Sequence, residues 1–169
     1  MGSLALRQYR RDDRTRVLEL HEVAMRAVGA YVEEAPEPDL EDIHGAYSEA
    51  GGAFLVGELE NDIVAMGAYR PASGYIRGYV DGLPNTSAEL KRMRVDPAHQ
   101  GRGYGQQVYD ELERRARETG FSTIALDTTP QQEAAIHFYE KNGFERVDSV
   151  EISWDDQSIT VLFYRKPLD

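Results

Sequence analysis

The apolar positions of this chain change period along its length, and the changes mark its elements. Residues 4–9 alternate loosely between apolar and polar side chains, as a half-buried strand does. Val17, Leu18, Leu20, Val23, Ala24 and Ala27 then fall on one face of a helix that runs to about residue 28. Asp12 and Asp13 are placed to cap its start and Gly29 to end it. An acidic, proline-broken connection over 33–38 leads to a second, shorter helix over 39–50, with Leu40, Ile43 and Tyr47 on one face and Gly51-Gly52 as its stop. Apolar runs at 53–59 and 62–69 flank Glu60-Asn61, a hairpin signal. Residues 70–87 mix Pro71, Gly74, Gly78, Gly82 and Pro84 with Tyr75, Ile76, Tyr79 and Val80. They read as a long β connection or an extended hairpin tip, either unstructured or helping to shape a pocket.

The second half is more regular. Residues 89–95 read as a strand, and in the helix that follows Tyr104, Val108, Leu112 and Ala116 recur every four residues up to Gly120. A strand over 121–128 precedes a helix over 131–141, whose opening tolerates Pro130 and whose end is Asn142-Gly143. A final strand pair, 144–154 and 158–165, turns around Asp155-Asp156. The order β-αα-βββ-α-β-α-ββ predicts one α/β domain with a mixed sheet over residues 4–169.

Composition narrows the function classes. A chain of 169 residues, 41% hydrophobic, suits one domain with a sizeable core. It has no cysteine, so disulfides, thiolate zinc sites and a cysteine nucleophile are excluded, and the reading calls for no metal. No apolar run approaches the roughly 18 residues of a membrane span. The first residues are charged too soon for a signal peptide, and a myristoylation pattern on Gly2 fails at position 6. The expectation is a cytoplasmic protein with no membrane partner. The net charge of −11 argues against nucleic-acid binding, which needs Lys and Arg to neutralise phosphates. It favours a cationic substrate only weakly, because an acidic surface often serves solubility alone.

The most informative stretch joins the strand at 89–95 to the helix after it. Gly101, Gly103 and Gly105 alternate through Gln100-Gly101-Arg102-Gly103-Tyr104-Gly105-Gln106. Glycine permits positive φ and leaves room for a close ligand. The first N–H groups of a helix lack intrahelical acceptors and carry partial positive charge, so this turn suits a phosphate. The bland alternative is a tight connection that needs glycines for shape alone. A Rossmann turn requires glycine where Gln106 stands, and no Gly-Lys-Ser/Thr triplet exists for a Walker A loop. An ATP-type phosphate binder is therefore disfavoured.

Gln100, Gly103 and Gly105 match Gln/Arg-x-x-Gly-x-Gly/Ala, the pyrophosphate loop of coenzyme A in the GNAT superfamily of N-acetyltransferases. The segment Ala135-Ile136-His137-Phe138-Tyr139-Glu140-Lys141-Asn142-Gly143-Phe144 resembles a second motif of that family. Together the motifs cover residues 89–144. The resemblance implies a GNAT-like domain with a splayed central sheet. It implies an enzyme that moves the acetyl group of acetyl-CoA directly to a primary amine of a small molecule, amino acid or peptide. A non-catalytic CoA or acyl-CoA sensing module and acetylation of a protein amino terminus stand as alternatives.

It also assigns roles. Gln100, Gly101, Arg102, Gly103, Tyr104, Gly105 and Gln106 would surround the pyrophosphate, with Arg102 adding charge at the rim. Met93, Arg94 and Val95 would offer backbone to the pantetheine arm, although Met93 and Val95 equally suit the sheet core. Gln132 stands where the family often has an asparagine against the cofactor; it carries the same amide on a longer arm. Tyr139 matches the tyrosine near the thioester sulfur, and a phenol can protonate a departing thiolate at neutral pH. The competing role is a core tyrosine. Glu89 lies where many members carry a general base, and burial would raise its pKa toward that task. Its alternative is an exposed strand residue paired with Lys91 or Arg92. The acceptor amine has no motif, His137 sits on another helix face from Tyr139, and a homodimer is left open.

Overall fold

The computed structural model describes residues 3–168, so Gly2 and Asp169, named in the expectations above, lie outside the described residues. A seven-stranded mixed sheet has the order β1-β2-β3-β4-β5-β7-β6. Its strands are β1 (Ala5–Gln8), β2 (Ala53–Leu59), β3 (Asp62–Pro71), β4 (Ser87–Val95), β5 (Thr123–Thr128), β6 (Glu145–Trp154) and β7 (Gln157–Pro167). The helices are α1 (Arg14–Ala27), α2 (Pro38–Glu41), α3 (Gly74–Tyr79), α4 (Tyr104–Glu118) and α5 (Glu133–Lys141). All strand pairs are antiparallel except β4 with β5.

Period-two alternation divides the strands between two layers. Leu55, Ala65, Leu90, Ile124 and Leu126 pack with Val108, Tyr109 and Leu112 of α4 and Tyr139 of α5. Phe54, Val56, Met66 and Ala68 face the other way, onto Val17 and Leu20 of α1 and Leu40 of α2. The helix α4 comes so close to β3 that a Cβ on Gly67 would strike the side chains of Met93, Leu112 and Val108.

Three local expectations need correction. The segment expected as a β connection contains α3, whose Ile76 packs with Val80, Ala125 and Phe163 on the sheet. Two glycines within one short turn, Gly74 and Gly78, hide its helical pattern. The helix expected over 39–50 is instead α2 followed by a wide π turn, His44–Ser48. Asp42 interrupts it, because its carboxylate accepts a hydrogen bond from the Gly45 N–H at 3.1 Å. Asp13 does not cap α1. It reaches back to accept from the Arg10 N–H at 2.7 Å and from both terminal nitrogens of Arg7 at 2.8 Å.

Two irregularities of β4 create the site. The β3–β4 register slips between Met66 and Ala68, so Arg92 and Met93 together oppose Gly67, and Arg92 adopts φ 59°. Such a bulge adds a residue and re-aims the side chains beside it. The parallel β4–β5 pairing holds only for Ser87↔Thr123, Ala88↔Ile124 and Glu89↔Ala125. Beyond Glu89 the strands part, and the sheet opens into a V.

Candidate active site

The Gly-rich turn stands at the top of the open strand. Asp96 begins a short 3-10 turn, Pro97–His99, by accepting the Ala98 N–H at 2.9 Å. Gly101 and Gly103 then take φ 77° and 83°, the left-handed region that a glycine enters without strain. Gly103 is the N-cap of α4, and the first N–H to return to it is that of Gln107, at 3.1 Å. The N–H groups of Tyr104, Gly105 and Gln106 therefore have no acceptor within the helix. A Cβ built on Gly101 or Gly103 meets no atom within 4 Å, so both glycines border open space. Such a cradle fits a pyrophosphate.

That space is a cleft of about 400 Å³ between α4, α5, β4 and the end of α1. Met93, Arg94, Val95, Gln100, Gly101, Gly103, Tyr104, Gly105, Gln106, Gln132 and Tyr139 all line it. Arg102 is the exception: it is exposed and stands outside the wall. Lys141, a residue of the second motif to which no role was assigned, and His99, outside both motifs, line the cleft in its place. His99 carries a buried Nδ1 with no hydrogen-bond partner, an unmet group in a site suited to phosphate. Gln106 exchanges hydrogen bonds with Asn142 at 2.7 and 3.1 Å, tying α4 to the end of α5. Gln132 donates to Thr129 Oγ1 at 3.2 Å.

Backbone direction on β4 follows from one contact. The Asp96 N–H donates to Val64 O on the β3 side at 2.8 Å. Direction alternates along a strand, so Met93 and Val95 turn their N–H and C=O groups toward the gap. Their carbonyls accept instead from side chains, Met93 O from Arg94 at 2.8 Å and Val95 O from Gln100 at 3.2 Å. The side chains of Met93 and Val95 pack in the core, so strand edge and core residue are compatible roles.

A second cleft, of about 280 Å³, adjoins the first and shares Met25, Arg94, Gln132 and Tyr139 with it. Tyr139 is only 7% exposed and touches both. Burial pushes its phenol up to about 12, with Arg94 opposing, so it keeps its proton at neutral pH. Its hydroxyl makes no hydrogen bond among the described residues, which leaves that proton available. His137 is exposed and takes no part.

Glu89 sits where the V closes. It is 1% exposed, not the exposed strand residue of the alternative reading. Its Oε1 lies 3.5 Å from Arg70 Nε without forming a hydrogen bond, and its Oε2 lies 3.9 Å from Lys91 Nζ. Burial raises its pKa, against the pull of Lys91 and Arg70. Glu89 itself lines neither cleft, whereas Asp127, at the end of β5, lines the second. Asp127 accepts from the Tyr75 hydroxyl of α3 at 2.9 Å.

The acidic connection before α2 is committed to structure. Asp39 receives two hydrogen bonds from Arg92, at 2.9 and 2.8 Å, and one from the Tyr47 hydroxyl at 2.6 Å. Burial would raise the Asp39 pKa, but Arg92 outweighs it and holds the carboxyl well below its usual range. Glu37 contacts Arg92 at 3.2 Å and His21 at 3.0 Å, and Glu33 pairs with Arg26. These contacts fasten the α1–α2 connection to the β4 bulge.

Set against known proteins, this architecture is a familiar one. Residues 8–144 match the Acetyltransferase (GNAT) family, and the chain belongs to that family. It is 32% identical over 112 residues to an uncharacterised N-acetyltransferase of Escherichia coli, YjgM, covering 66% of this chain and 62% of that protein. It is 30% identical over 117 residues to human N-acetyltransferase 8B, covering 69% of this chain and 49% of that protein. The match thus spans from about half to under two thirds of these relatives' own length. Among solved structures, a GNAT-family acetyltransferase from Staphylococcus aureus superposes with TM-score 0.81 at 21% identity, covering 99% of this chain and 100% of that one. The acetyltransferase yncA of Salmonella typhimurium, solved with acetyl-CoA, superposes with TM-score 0.78 at 20% identity over 99% and 95% of the two chains. Both likenesses extend to the whole described fold, including the first 70 residues, where no motif is present.

Proposed function

We propose that this protein is an acetyl-CoA-dependent N-acetyltransferase that acetylates a primary amine by direct transfer. The observation that carries the reading is the pair of adjoining clefts, one beneath a phosphate-binding turn and one beyond it, with Tyr139 on the wall of both. The acetyl-CoA held by the Salmonella neighbour supports the choice of donor. Acetyl-CoA supplies an activated acyl group as a thioester. The main-chain N–H groups at the start of α4, with Lys141 and His99 beside them, hold the pyrophosphate. The open edge of Met93 and Val95 pairs with the pantetheine arm. Gln132 contributes an amide to the same wall.

Transfer forms an N–C bond and breaks a C–S bond; from ammonium to amide the nitrogen gives up two protons and the sulfur gains one. An amine is mostly protonated at neutral pH and loses its proton before it attacks. Glu89 takes that proton through water, since it is buried just behind the cleft wall, and its raised pKa brings its basicity closer to the task. Tyr139 gives its proton to the sulfur as the C–S bond breaks and negative charge develops there, and recovers one from the nitrogen as the adduct becomes the amide. The test is calorimetry with CoA, together with thiol release from acetyl-CoA over a panel of amines. Tight CoA binding with no thiol release for any amine would select the non-catalytic sensing module. Absence of CoA binding would remove both readings.

A further inference from the structure

The second cleft carries charges that its surroundings do not cancel. Lys91, Arg92, Arg94 and Asp127 stand on its wall. Arg92 is spent on Asp39 and Glu37. Arg94 has no carboxylate partner among the described residues; it bonds Met93 O at 2.8 Å and His21 Nδ1 at 3.4 Å. His21 does not add a competing charge, because burial and the neighbouring arginines bring it down to about 4. Its ring is assigned as the neutral form that donates Nε2–H to Glu37 and accepts from Arg94, which fixes the guanidinium in place. Lys91 has one ion pair among the described residues, with Glu89 at 3.9 Å, and its charge also acts on Asp39. Thr128 supplies a further unsatisfied group: it lines this cleft, is 6% exposed, and its hydroxyl is buried without a hydrogen-bond partner among the described residues.

A half-buried guanidinium without an anion is costly, and so is a buried hydroxyl without a bond. A ligand that brings an anion and hydrogen-bonding atoms relieves both. The wall also offers one anion, Asp127, on β5 across the V from the two cations on β4. We infer that the second cleft takes a small free amino acid as zwitterion, its carboxylate on Arg94 and Lys91 and its ammonium beside Asp127. The inference rests on the transferase reading and narrows its acceptor. A peptide amino terminus has no carboxylate next to its amine, so this arrangement favours a free amino acid over a protein end. It also runs against the overall charge: an acidic protein of net −11 lines this cleft with three cations, Lys91, Arg92 and Arg94, and one anion, Asp127.

The test compares amino acids with their own carboxamides, which lack the anionic group, each assayed across pH so that rates are compared at equal fractions of free amine, because the amide also lowers the amine pKa. The full chain is assayed for thiol release from acetyl-CoA with each member of each pair. At least one acid should exceed its amide by tenfold or more in kcat/KM, with the difference in KM, because a positioned charge pair mainly strengthens binding. Arg94→Gln should bring that ratio down toward one. Lys91→Gln, at a partly exposed position, serves the same purpose should the Arg94 variant fail to fold. Amides used as well as acids would overturn the zwitterion site and leave the transferase reading standing. So would a ratio that neither variant changes. Should no acid and no amide turn over while other amines do, the amino-acid proposal fails alone. Should no amine of any kind turn over, the transferase reading fails with it.

Discussion

Replacing Tyr139 by phenylalanine separates chemistry from packing, because the substitution removes one oxygen and leaves the ring. The ring makes edge contacts with Phe138 and Phe144, at centroid distances of 5.6 and 5.7 Å, and phenylalanine keeps both. No described residue bonds the hydroxyl, so its loss strands no partner. Stability should therefore move by no more than about 1 kcal/mol, the net scale of one hydrogen bond. The kinetic cost is larger. A hydrogen bond to a charged group contributes about 1.5–3 kcal/mol, and the thiolate is charged only as the C–S bond breaks. At 1.36 kcal/mol per decade, kcat should fall roughly 10- to 150-fold. The lost contact belongs to the transition state, so kcat and kcat/KM should fall together while CoA affinity holds. With the phenol pushed up to about 12, its ionisation should leave no alkaline limb in the wild-type profile below about pH 10. The measurements are steady-state thiol release with the best acceptor, CoA calorimetry and a melting curve. A variant as fast as wild type removes Tyr139 from the mechanism. A variant that melts far lower returns it to the core.

Three further outcomes can be checked separately. Gly103→Val should abolish CoA binding in calorimetry while the chain stays folded. The new side chain projects into open space, and the φ of 83° costs a β-branched residue about 1–2 kcal/mol; retained affinity would move the phosphate elsewhere. Glu89→Gln should lower kcat/KM at neutral pH by roughly 10²–10⁴-fold, with CoA affinity preserved and the acidic limb of the pH profile lost. Because the folded pKa of Glu89 lies above the ordinary glutamate value, its contribution to stability is greatest at low pH and is lost as pH rises through the folded pKa. The Gln variant should lack that decline in denaturation curves taken across this window. Asp39→Ala should cost about 3–5 kcal/mol in chemical denaturation, the usual penalty for stranding a buried charge. Since the Asp39 pKa is depressed, its stabilisation is present above the ordinary aspartate value and disappears as pH falls through the folded one.

What was legible in the sequence follows the range over which its signals act. The glycine turn, the α4 repeat and the Phe138-Tyr139 segment are local patterns; the cleft takes the turn's residues except Arg102, with Tyr104, Phe138 and Tyr139, while Val108, Leu112 and Ala116 of the repeat pack in the core. Helix α3 was hidden because Gly74 and Gly78 interrupt its pattern, and its burial depends on Ala125 and Phe163 far along the chain. Arg92 and Asp39 are 53 residues apart, and no local pattern announces that they will meet. The same holds for Asp127, which reads as a strand-end carboxylate until β4 and β5 are seen to part. Lys141 and His99 were within reach, since Lys141 belongs to the second motif and His99 adjoins Gln100 of the first. Arg102 drew attention through its place between glycines, yet a side chain between two left-handed residues need not face the ligand.

The gap between β4 and β5 has a bearing on how such a chain can diversify. On the flank assigned to the cofactor, the groups that do the holding are chiefly main-chain: the amides at the start of α4 and the free edge of Met93 and Val95. Substitution cannot delete a peptide group, so that flank tolerates exchange of most neighbouring residues and is vulnerable chiefly to bulk at Gly101 or Gly103. On the opposite flank, proposed above for the acceptor, Lys91, Arg94, Asp127 and Thr128 would act through their side chains, and each can be replaced without redrawing the backbone. A lineage built this way can trade one acceptor for another by a few point changes while keeping its donor. Overall likeness to a relative therefore says far more about what this chain spends than about what it modifies.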